Sequence, residues 1–410
     1  MQRFTAAWVL PVSGAPIRQG AVLVGADGRI VAVGDQRELL PGDSIEEVRL
    51  GDAVLMPGLV NTHTHLELTG FAGKVNAEDF WDWITQVIAV KAARSEQAFF
   101  DAACDGIRQM WSAGVTTVCD TGSTGAVIAA LDHLGASGSY HHEVFGAHPD
   151  ECAGAMVRFG HDLDRLSRHA TGRVGLGVSP HAPYTVSGRL YAASAELARA
   201  HGVDMAVHVA EPAGERALLE DFTGIFADSW RARGIPRPTV QPVSPVAWLD
   251  RHGVISDRTL CVHAIDVRSD DADLIAQRGA AVAHCPRSNR HHHGADAPVR
   301  AYLDRGIRLG LGTDSEISVD PPDLLAEARE ARKLTGWSTA EAVRALTLGG
   351  AEAIGRGTEC GSLESGKWAD LCAIRIAGGE HPEPAVLAAN RGQVVATWLA
   401  GREVHRVTGV

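Results

Sequence analysis

The sequence predicts an α/β protein built as a (β/α)8 barrel, with a small β-rich unit formed from its two ends. Eight strand-like apolar runs alternate with amphipathic helix patterns between residues 56 and 357. Several of these runs end in His, Glu or Asp, and the ends of parallel barrel strands are where such folds carry their chemistry. The segments 1–55 and 358–410 contain short strands and turns instead.

The two ends of the chain have the pattern of a small sheet. Residues 21–25 and 29–34 are apolar runs separated by Asp27-Gly28, a dipeptide typical of a hairpin turn. The C-terminal segment has similar runs at 368–374 and 394–399, separated by Gly and Pro. Because chain ends often lie close together, we expect the two segments to pair into one sheet domain.

The central segment supplies the barrel strands in order. The first strand pattern ends at His63-Thr64-His65, and the other seven cover residues 115–120, 140–145, 174–179, 205–209, 260–263, 280–284 and 308–314. Amphipathic helix patterns intervene, as at 190–201, 272–278, 298–305 and 324–334. The histidine triplet at 291–293 is expected in a loop.

Composition excludes several classes of protein. The chain has 410 residues, of which 45% are hydrophobic. This fraction is ordinary for a soluble globular protein and can bury a large core. A net charge of −12, spread along the chain, disfavours nucleic acid as a partner. No window reaches the roughly 18 apolar residues of a membrane span. Seven widely spaced cysteines indicate reduced thiols. We expect a cytoplasmic protein that acts on a small molecule.

Four residues at predicted strand ends form a candidate metal site. His63 and His65 are two residues apart, so on a strand their imidazoles point to the same face. His208 and Asp314 end two further strand patterns. Neutral imidazole and carboxylate suit Zn²⁺ or Fe²⁺. In a chain with 19 histidines one such pair is weak evidence, and the support comes from several strand ends carrying ligands together.

Two other residues have the chemistry of proton transfer. Glu211 lies three residues past His208, at the start of the following loop, where it can reach the substrate without binding the metal and is a candidate general acid and base. His263 ends its own strand pattern, where it can orient the attacking water or stabilise charge on the attacked carbon. With Asp314, these two residues are the catalytic candidates.

Six motifs carry a resemblance to a known family: Pro57-Gly58-Leu59-Val60-Asn61-Thr62-His63-Thr64-His65, Ser179-Pro180-His181-Ala182-Pro183-Tyr184, His208-Val209-Ala210-Glu211, His263-Ala264, His284-Cys285-Pro286-Arg287-Ser288-Asn289 and Gly312-Thr313-Asp314-Ser315. With them the chain resembles the amidohydrolase superfamily, in the branch of nucleobase and nucleoside deaminases and triazine hydrolases. The resemblance covers nearly the whole length.

The resemblance implies a distorted barrel (residues 56–357) beside a composite β-sandwich (1–55 and 358–410). It also implies a homodimer as a possible assembly. It makes metal ligands of His63, His65, His208 and Asp314, catalytic residues of Glu211 and His263, and a substrate contact of His181.

Lysine usage favours one metal ion over two. Many superfamily members hold two metals through a carboxylated lysine on the fourth barrel strand. This chain has no lysine between Lys91 and Lys333, so its strand pattern at 174–179 cannot supply one. We therefore expect one divalent ion, zinc before iron, and deamination as the reaction. Glu211 supports this expectation, because an aromatic deaminase must deliver a proton to a ring nitrogen.

The substrate prediction rests on two further residues. Asp82 precedes Trp83 after the first barrel strand, and adenosine-type deaminases carry an acidic residue there that binds ribose hydroxyls. A lid helix that simply packs its aromatic residues explains the same pattern. Arg287 is a candidate partner for a substrate carboxylate, although bracing of a loop is the alternative. The combination of His65-Leu66-Glu67-Leu68 with Cys285-Pro286-Arg287-Ser288-Asn289 resembles deaminases of 6-aminodeoxyfutalosine. This substrate is an adenine nucleoside with a carboxyphenyl tail and an intermediate of menaquinone biosynthesis.

Other substrates and another class of protein stay open. Adenosine, methylthioadenosine, S-adenosylhomocysteine, guanine and cytosine analogues are alternative deaminase substrates. Triazine dechlorination and imidazolone-ring hydrolysis are alternative reactions. A catalytically silent scaffold is the alternative class, and loss of metal ligands would be its usual sign.

Overall fold

The computed structural model of the protein describes residues 1–40, 45–77, 79–239, 243–377 and 381–407. In these ranges the strands are β1 (Gln2–Val9), β2 (Ile17–Val24), β3 (Ile30–Asp35), β4 (Glu46–Arg49), β5 (Ala53–Pro57), β6 (Leu59–Thr64), β7 (Val115–Gly122), β8 (Ser137–Val144), β9 (Val174–Pro180), β10 (Met205–Val209), β11 (Thr259–His263), β12 (Ala281–His284), β13 (Arg308–Leu311), β14 (Leu371–Arg375), β15 (Val394–Leu399) and β16 (Arg402–Arg406).

The helices are α1 (Phe80–Ala92), α2 (Glu96–Ser112), α3 (Ala126–Leu134), α4 (Cys152–Ser167), α5 (Gly188–His201), α6 (Ala213–Arg216), α7 (Gly224–Ala232), α8 (Pro245–Arg251), α9 (Ser269–Arg278), α10 (Pro286–His293), α11 (Val299–Asp304), α12 (Leu324–Thr335), α13 (Thr339–Arg344), α14 (Gly350–Ala353) and α15 (Pro382–Ala388). Short 3₁₀ segments lie at Leu66–Leu68, Pro149–Glu151 and Arg391–Gln393, and π segments at Ala217–Asp221 and Ala345–Gly349. None of the helices in the described ranges has the length and apolar character needed to cross a membrane.

Strands β6 to β13 form the predicted barrel, which is confirmed. They pair in sequence order, all parallel, with helices in the connections. The barrel closes where Thr64 and Asp314 pair as an isolated parallel bridge. The carbonyl of His63 accepts hydrogen bonds from the backbone N–H groups of Thr313 (3.0 Å) and Asp314 (3.1 Å). The carboxyl ends of the first and last strands therefore meet at one point.

The two ends of the chain form a second sheet, as predicted. Its strand order is β16-β15-β14-β5-β1-β2-β3, with β4 also paired to β1. The link between the two ends is the antiparallel pairing of β5 with β14, in which Leu371 lies opposite Pro57. Phe4, Leu55 and Trp398 are buried in its core. All eight strands are connected by pairing into one mostly antiparallel sheet.

The apolar run before His63 divides into two strands at Gly58. The N–H of Gly58 donates to Asp370 O, beside the terminal sheet, whereas the N–H of Leu59 donates to Gly114 O in the barrel (both 2.9 Å). A Cβ atom at Gly58 would lie only 2.1 Å from Oγ1 of Thr116, so there is no room for a side chain. Gly58 is therefore the joint between the two sheets.

The histidine triplet is not in a loop, which corrects the expectation from sequence. Residues 291–293 form the last turn of α10. Pro286 begins this helix, and Gly294 ends it in the left-handed conformation (φ 59°). Proline at the first position and glycine after the last are the usual helix boundaries. The triplet has no apolar periodicity, so the pattern used to find helices could not detect it.

Helix α1 is tied to the barrel by a partly buried ion pair. Asp79 caps the helix by accepting a hydrogen bond from the N–H of Asp82 (2.8 Å). Near the other end, Nζ of Lys91 lies 2.5 Å from Oε1 of the buried Glu67, which follows β6, and 3.0 Å from Oγ of Ser123. This pair fixes α1 beside the carboxyl ends of β6 and β7.

We expect Gly58→Ala to lower the free energy of unfolding by about 1–3 kcal/mol, since an added methyl group overpacks the contact with Thr116. Denaturant titration followed by fluorescence measures the change. Gly14→Ala is the matched control, because a Cβ there meets no atom within 4 Å. Equal effects of the two substitutions would show that the joint tolerates a side chain.

Candidate active site

The four candidate metal ligands come together at the carboxyl end of the barrel. His63 lies in β6, His65 directly follows it, His208 lies in β10 and Asp314 follows β13. The Nε2 atoms of His63 and His65 each lie 3.6 Å from Oδ1 of Asp314. Ligand atoms of His63, His65 and Asp314 all lie within 4.8 Å of one another. Ligand atoms of His63, His208 and His263 form a second group of the same size.

The hydrogen bonds around the ligands leave the metal-facing atoms available. Nδ1 of His65 donates to the carbonyl of Thr121 (2.8 Å), so its Nε2 keeps a lone pair for an ion. Asp314 accepts from Oγ of Ser288 (2.6 Å) and from the N–H of Ser315 (2.7 Å). These contacts fix the carboxylate without occupying it, as metal-ligating carboxylates require.

Three buried ring nitrogens of the candidate ligands lack a hydrogen-bond partner within the described residues. They are both nitrogens of His63 and Nδ1 of His208. A buried polar atom without a hydrogen bond costs about 1–3 kcal/mol. Burial lowers the pKa of His63 to about 4 and that of His208 well below its usual value, so both imidazoles are neutral. Neutral, unpartnered imidazoles beside a carboxylate fit a divalent ion.

The backbone turns sharply at the strand ends that carry the site. Ala210, His263, Ala264 and Asp314 all have positive φ, between 47° and 66°. This region is unfavourable for residues other than glycine, at a cost of about 1–3 kcal/mol each. The turns direct Glu211, His263 and Asp314 into the barrel mouth.

Glu211 and His263 lie side by side next to the ligands. Nε2 of His263 is 3.6 Å from Oε1 of Glu211, and Nδ1 of His263 is 2.9 Å from Oδ1 of Asn289. Burial by itself would raise the pKa of Glu211. The nearby charge of His263 and a hydrogen bond from His293 outweigh burial and lower this pKa to about 2. Glu211 is therefore a buried, ionised carboxylate that can accept a proton.

The three predicted substrate contacts have different surroundings. The ring centroids of His181 and His208 are 5.0 Å apart, so His181 borders the cluster of candidate ligands. Nδ1 of His181 is 2.8 Å from Oγ1 of Thr185. Asp82 lies in the first turn of α1 and accepts a hydrogen bond from Gln86 (2.9 Å). The roles of all three stay predictions.

Arg287 is held by residues of the protein. Its Nη1 donates to Pro321 O (3.2 Å) and lies 3.5 Å from Oε1 of Glu327. The side chain also borders a cavity of about 470 Å³ that His291 and Ile317 help to form. Arg287 thus braces its surroundings and still faces open space.

Sequence reasoning missed three residues of the site. Asn289 orients His263, and Glu143 at the end of β8 lies 4.0 Å from Nε2 of His181. Nε2 of His293 lies 3.2 Å from Oε1 of Glu211. The spacing of Asn289 and His293, four residues apart, would have placed them on one face if the segment had been taken as a helix.

The sequence profile of the amidohydrolase family matches residues 54–404. The chain belongs to this family. It is 30% identical, over 415 aligned positions, to the 5-methylthioadenosine/S-adenosylhomocysteine deaminase of Nitratidesulfovibrio vulgaris, covering 96% of this chain and 88% of that one. It is 29% identical to the aminodeoxyfutalosine deaminase of Deinococcus radiodurans, covering 84% and 83%.

A solved structure has the same overall fold. The zinc-bound adenosine deaminase of Xanthomonas campestris superposes with a TM-score of 0.85 at 27% identity, covering 100% of this amidohydrolase and 94% of that chain. Family membership makes the protein a hydrolase that acts on carbon–nitrogen bonds.

We expect about one equivalent of zinc or iron per chain of this amidohydrolase, measured by elemental analysis after dialysis. His63→Ala and Asp314→Ala should each lose most of the metal, because each removes a ligand. Glu211→Gln is the matched control and should keep it. Two tightly held ions per chain, or a loss of metal in Glu211→Gln, would contradict this assignment.

Proposed function

We propose that this amidohydrolase is a metal-dependent deaminase of an adenine nucleoside. The observation that carries the proposal is the buried, ionised Glu211 beside His263 and the four candidate ligands. Deamination needs such a carboxylate, because a proton must move from water to a ring nitrogen. The two deaminase relatives and the zinc-bound adenosine deaminase, all named for purine nucleoside substrates, support the choice of substrate class.

The metal would be held by His63, His65, His208 and Asp314. A bound divalent ion supplies Lewis acidity, which lowers the pKa of water towards about 7. Glu211 accepts the proton that the attacking water loses and delivers it to the ring nitrogen next to the amino-bearing carbon. His263, oriented by Asn289, presents Nε2 to the reacting centre. The hydroxyl group now on this carbon gives its proton to the amino group, which leaves as ammonia while the carbon–oxygen double bond forms.

Within the adenine nucleosides we propose 6-aminodeoxyfutalosine as the substrate. The Deinococcus relative supports this choice, and Arg287 offers a charge for the carboxylate of this substrate. Burial raises the pKa of Glu327, the neighbour of Arg287, to about 8, so that carboxyl is largely protonated at neutral pH. A protonated Glu327 leaves the charge of Arg287 available. Methylthioadenosine and S-adenosylhomocysteine form the second candidate class, which the Nitratidesulfovibrio relative supports.

We expect ammonia release from one or more adenine nucleosides when 6-aminodeoxyfutalosine, methylthioadenosine, S-adenosylhomocysteine, adenosine and guanine are compared. Glu211→Gln keeps the shape of the side chain but cannot carry the proton, so kcat should fall about 10²–10⁴-fold. Metal content should stay at the wild-type value. Activity of Glu211→Gln near the wild-type rate would assign the proton transfer to another residue. Activity on guanine alone would contradict the nucleoside assignment.

Arg287→Met should weaken kcat/KM for 6-aminodeoxyfutalosine by 10-fold or more, since an ion pair to the substrate carboxylate is lost, and leave methylthioadenosine within about threefold. Steady-state kinetics on both substrates measures the selectivity. Arg290→Met is the control, because Arg290 lies on the same helix but pairs with Asp296 and Glu330. Equal losses on the two substrates, with a lower unfolding temperature, would identify Arg287 as a purely bracing residue.

A further inference from the structure

We propose that His293 is a positioning residue for Glu211, holding one carboxylate oxygen so that the other faces the reacting atoms. The inference rests on the proposed function, in which Glu211 transfers the proton. Its first support is the contact itself, 3.2 Å between Nε2 of His293 and Oε1 of Glu211. Both side chains are less than one-tenth exposed. In this contact Nε2–H of His293 donates to the carboxylate.

The second support is the position of His293 on α10. Residues 289 and 293 are one helical turn apart and lie on the same face. Asn289 contacts His263, and Ser288 next to it contacts Asp314. One rigid helix thus contacts a metal ligand, an imidazole beside the reacting centre and the proton-carrying carboxylate. His293 adds Glu211 to the set of side chains that α10 holds.

The third support is the difference between the two oxygens of Glu211. Oε1 faces both His293 (3.2 Å) and Nε2 of His263 (3.6 Å). Throughout the described ranges no hydrogen bond to Oε2 is found. A carboxylate held through one oxygen has a fixed plane, and its second oxygen stays available for the proton. Positioning within a few tenths of an ångström is what efficient proton transfer requires.

His293 and its neighbour His292 also contact the first turn of α1. The ring centroids of Phe80 and His293 are 4.7 Å apart, and those of Trp83 and His292 are 4.5 Å apart. Phe80 and Trp83 also stack on each other at 5.5 Å. The first turn of α1 therefore packs on the residue that holds Glu211. A displacement of this turn would shift His293 and, through it, the carboxylate of Glu211.

Three variants test the inference. His293→Leu removes the donor, His293→Gln keeps an N–H at similar reach, and His161→Leu makes the same change at an exposed position of α4. We expect His293→Leu to lower kcat about 10- to 100-fold with KM changed less than threefold, and His293→Gln to recover kcat to within about threefold of wild type. His161→Leu should match wild type. Zinc content and unfolding temperature check that each variant is folded.

Two measurements do not depend on turnover. Calorimetry with coformycin, whose tetrahedral hydroxyl-bearing carbon mimics the transition state, should show affinity at least 10-fold weaker in His293→Leu, with inosine changed less than threefold. Crystal structures of wild type and His293→Leu should show Glu211 ordered in the first and rotated or disordered in the second.

The inference is overturned if His293→Leu keeps kcat within twofold, if His293→Gln loses as much as His293→Leu, or if only KM changes. If the wild-type protein releases ammonia from no nucleoside, the proposed function fails instead. The crystal structures then decide the positioning role, and the same ordered conformation of Glu211 in both proteins overturns it.

Discussion

Closure of the barrel between its first and last strands is the interaction on which the site depends. The carbonyl of His63 accepts two N–H groups from the segment that carries Asp314. Buried Asn61 strengthens this seam: its Nδ2 donates to Oγ1 of Thr313 (2.8 Å), and its Oδ1 accepts from the N–H of Thr313 (3.2 Å). Two candidate ligands far apart in sequence are thereby brought within 4 Å, because the backbone around them is itself hydrogen-bonded.

The site concentrates features that are unfavourable for folding. The unpartnered nitrogens of His63 and His208 and the positive φ angles of Ala210, His263 and Asp314 lie together at one end of the barrel. Such costs persist only where the surrounding structure enforces them. Here the barrel strands, α10 and the partly buried Glu67–Lys91 pair supply that enforcement. Binding of an ion recovers part of the cost, so metal and fold stabilise each other.

The fold and the grouping of the four candidate ligands could be predicted because both follow from local patterns. Parallel strands place their carboxyl ends together. A histidine or aspartate at the end of an apolar run is therefore predicted to lie at the carboxyl end of the barrel. The division at Gly58 could not be predicted, because the apolar run continues through it and the obstacle, Thr116, lies on another strand. Likewise, the role of His293 depends on a helix whose last turn is entirely polar.

The terminal sheet has a consequence for synthesis on the ribosome. Strand β5 immediately precedes the barrel, yet its antiparallel partner β14 is translated only after all eight barrel strands. Until then the nascent chain exposes an unpaired, apolar strand edge, and such edges are prone to association with other chains. A partly synthesised chain therefore offers chaperones a binding edge that disappears only when the C-terminal strands emerge.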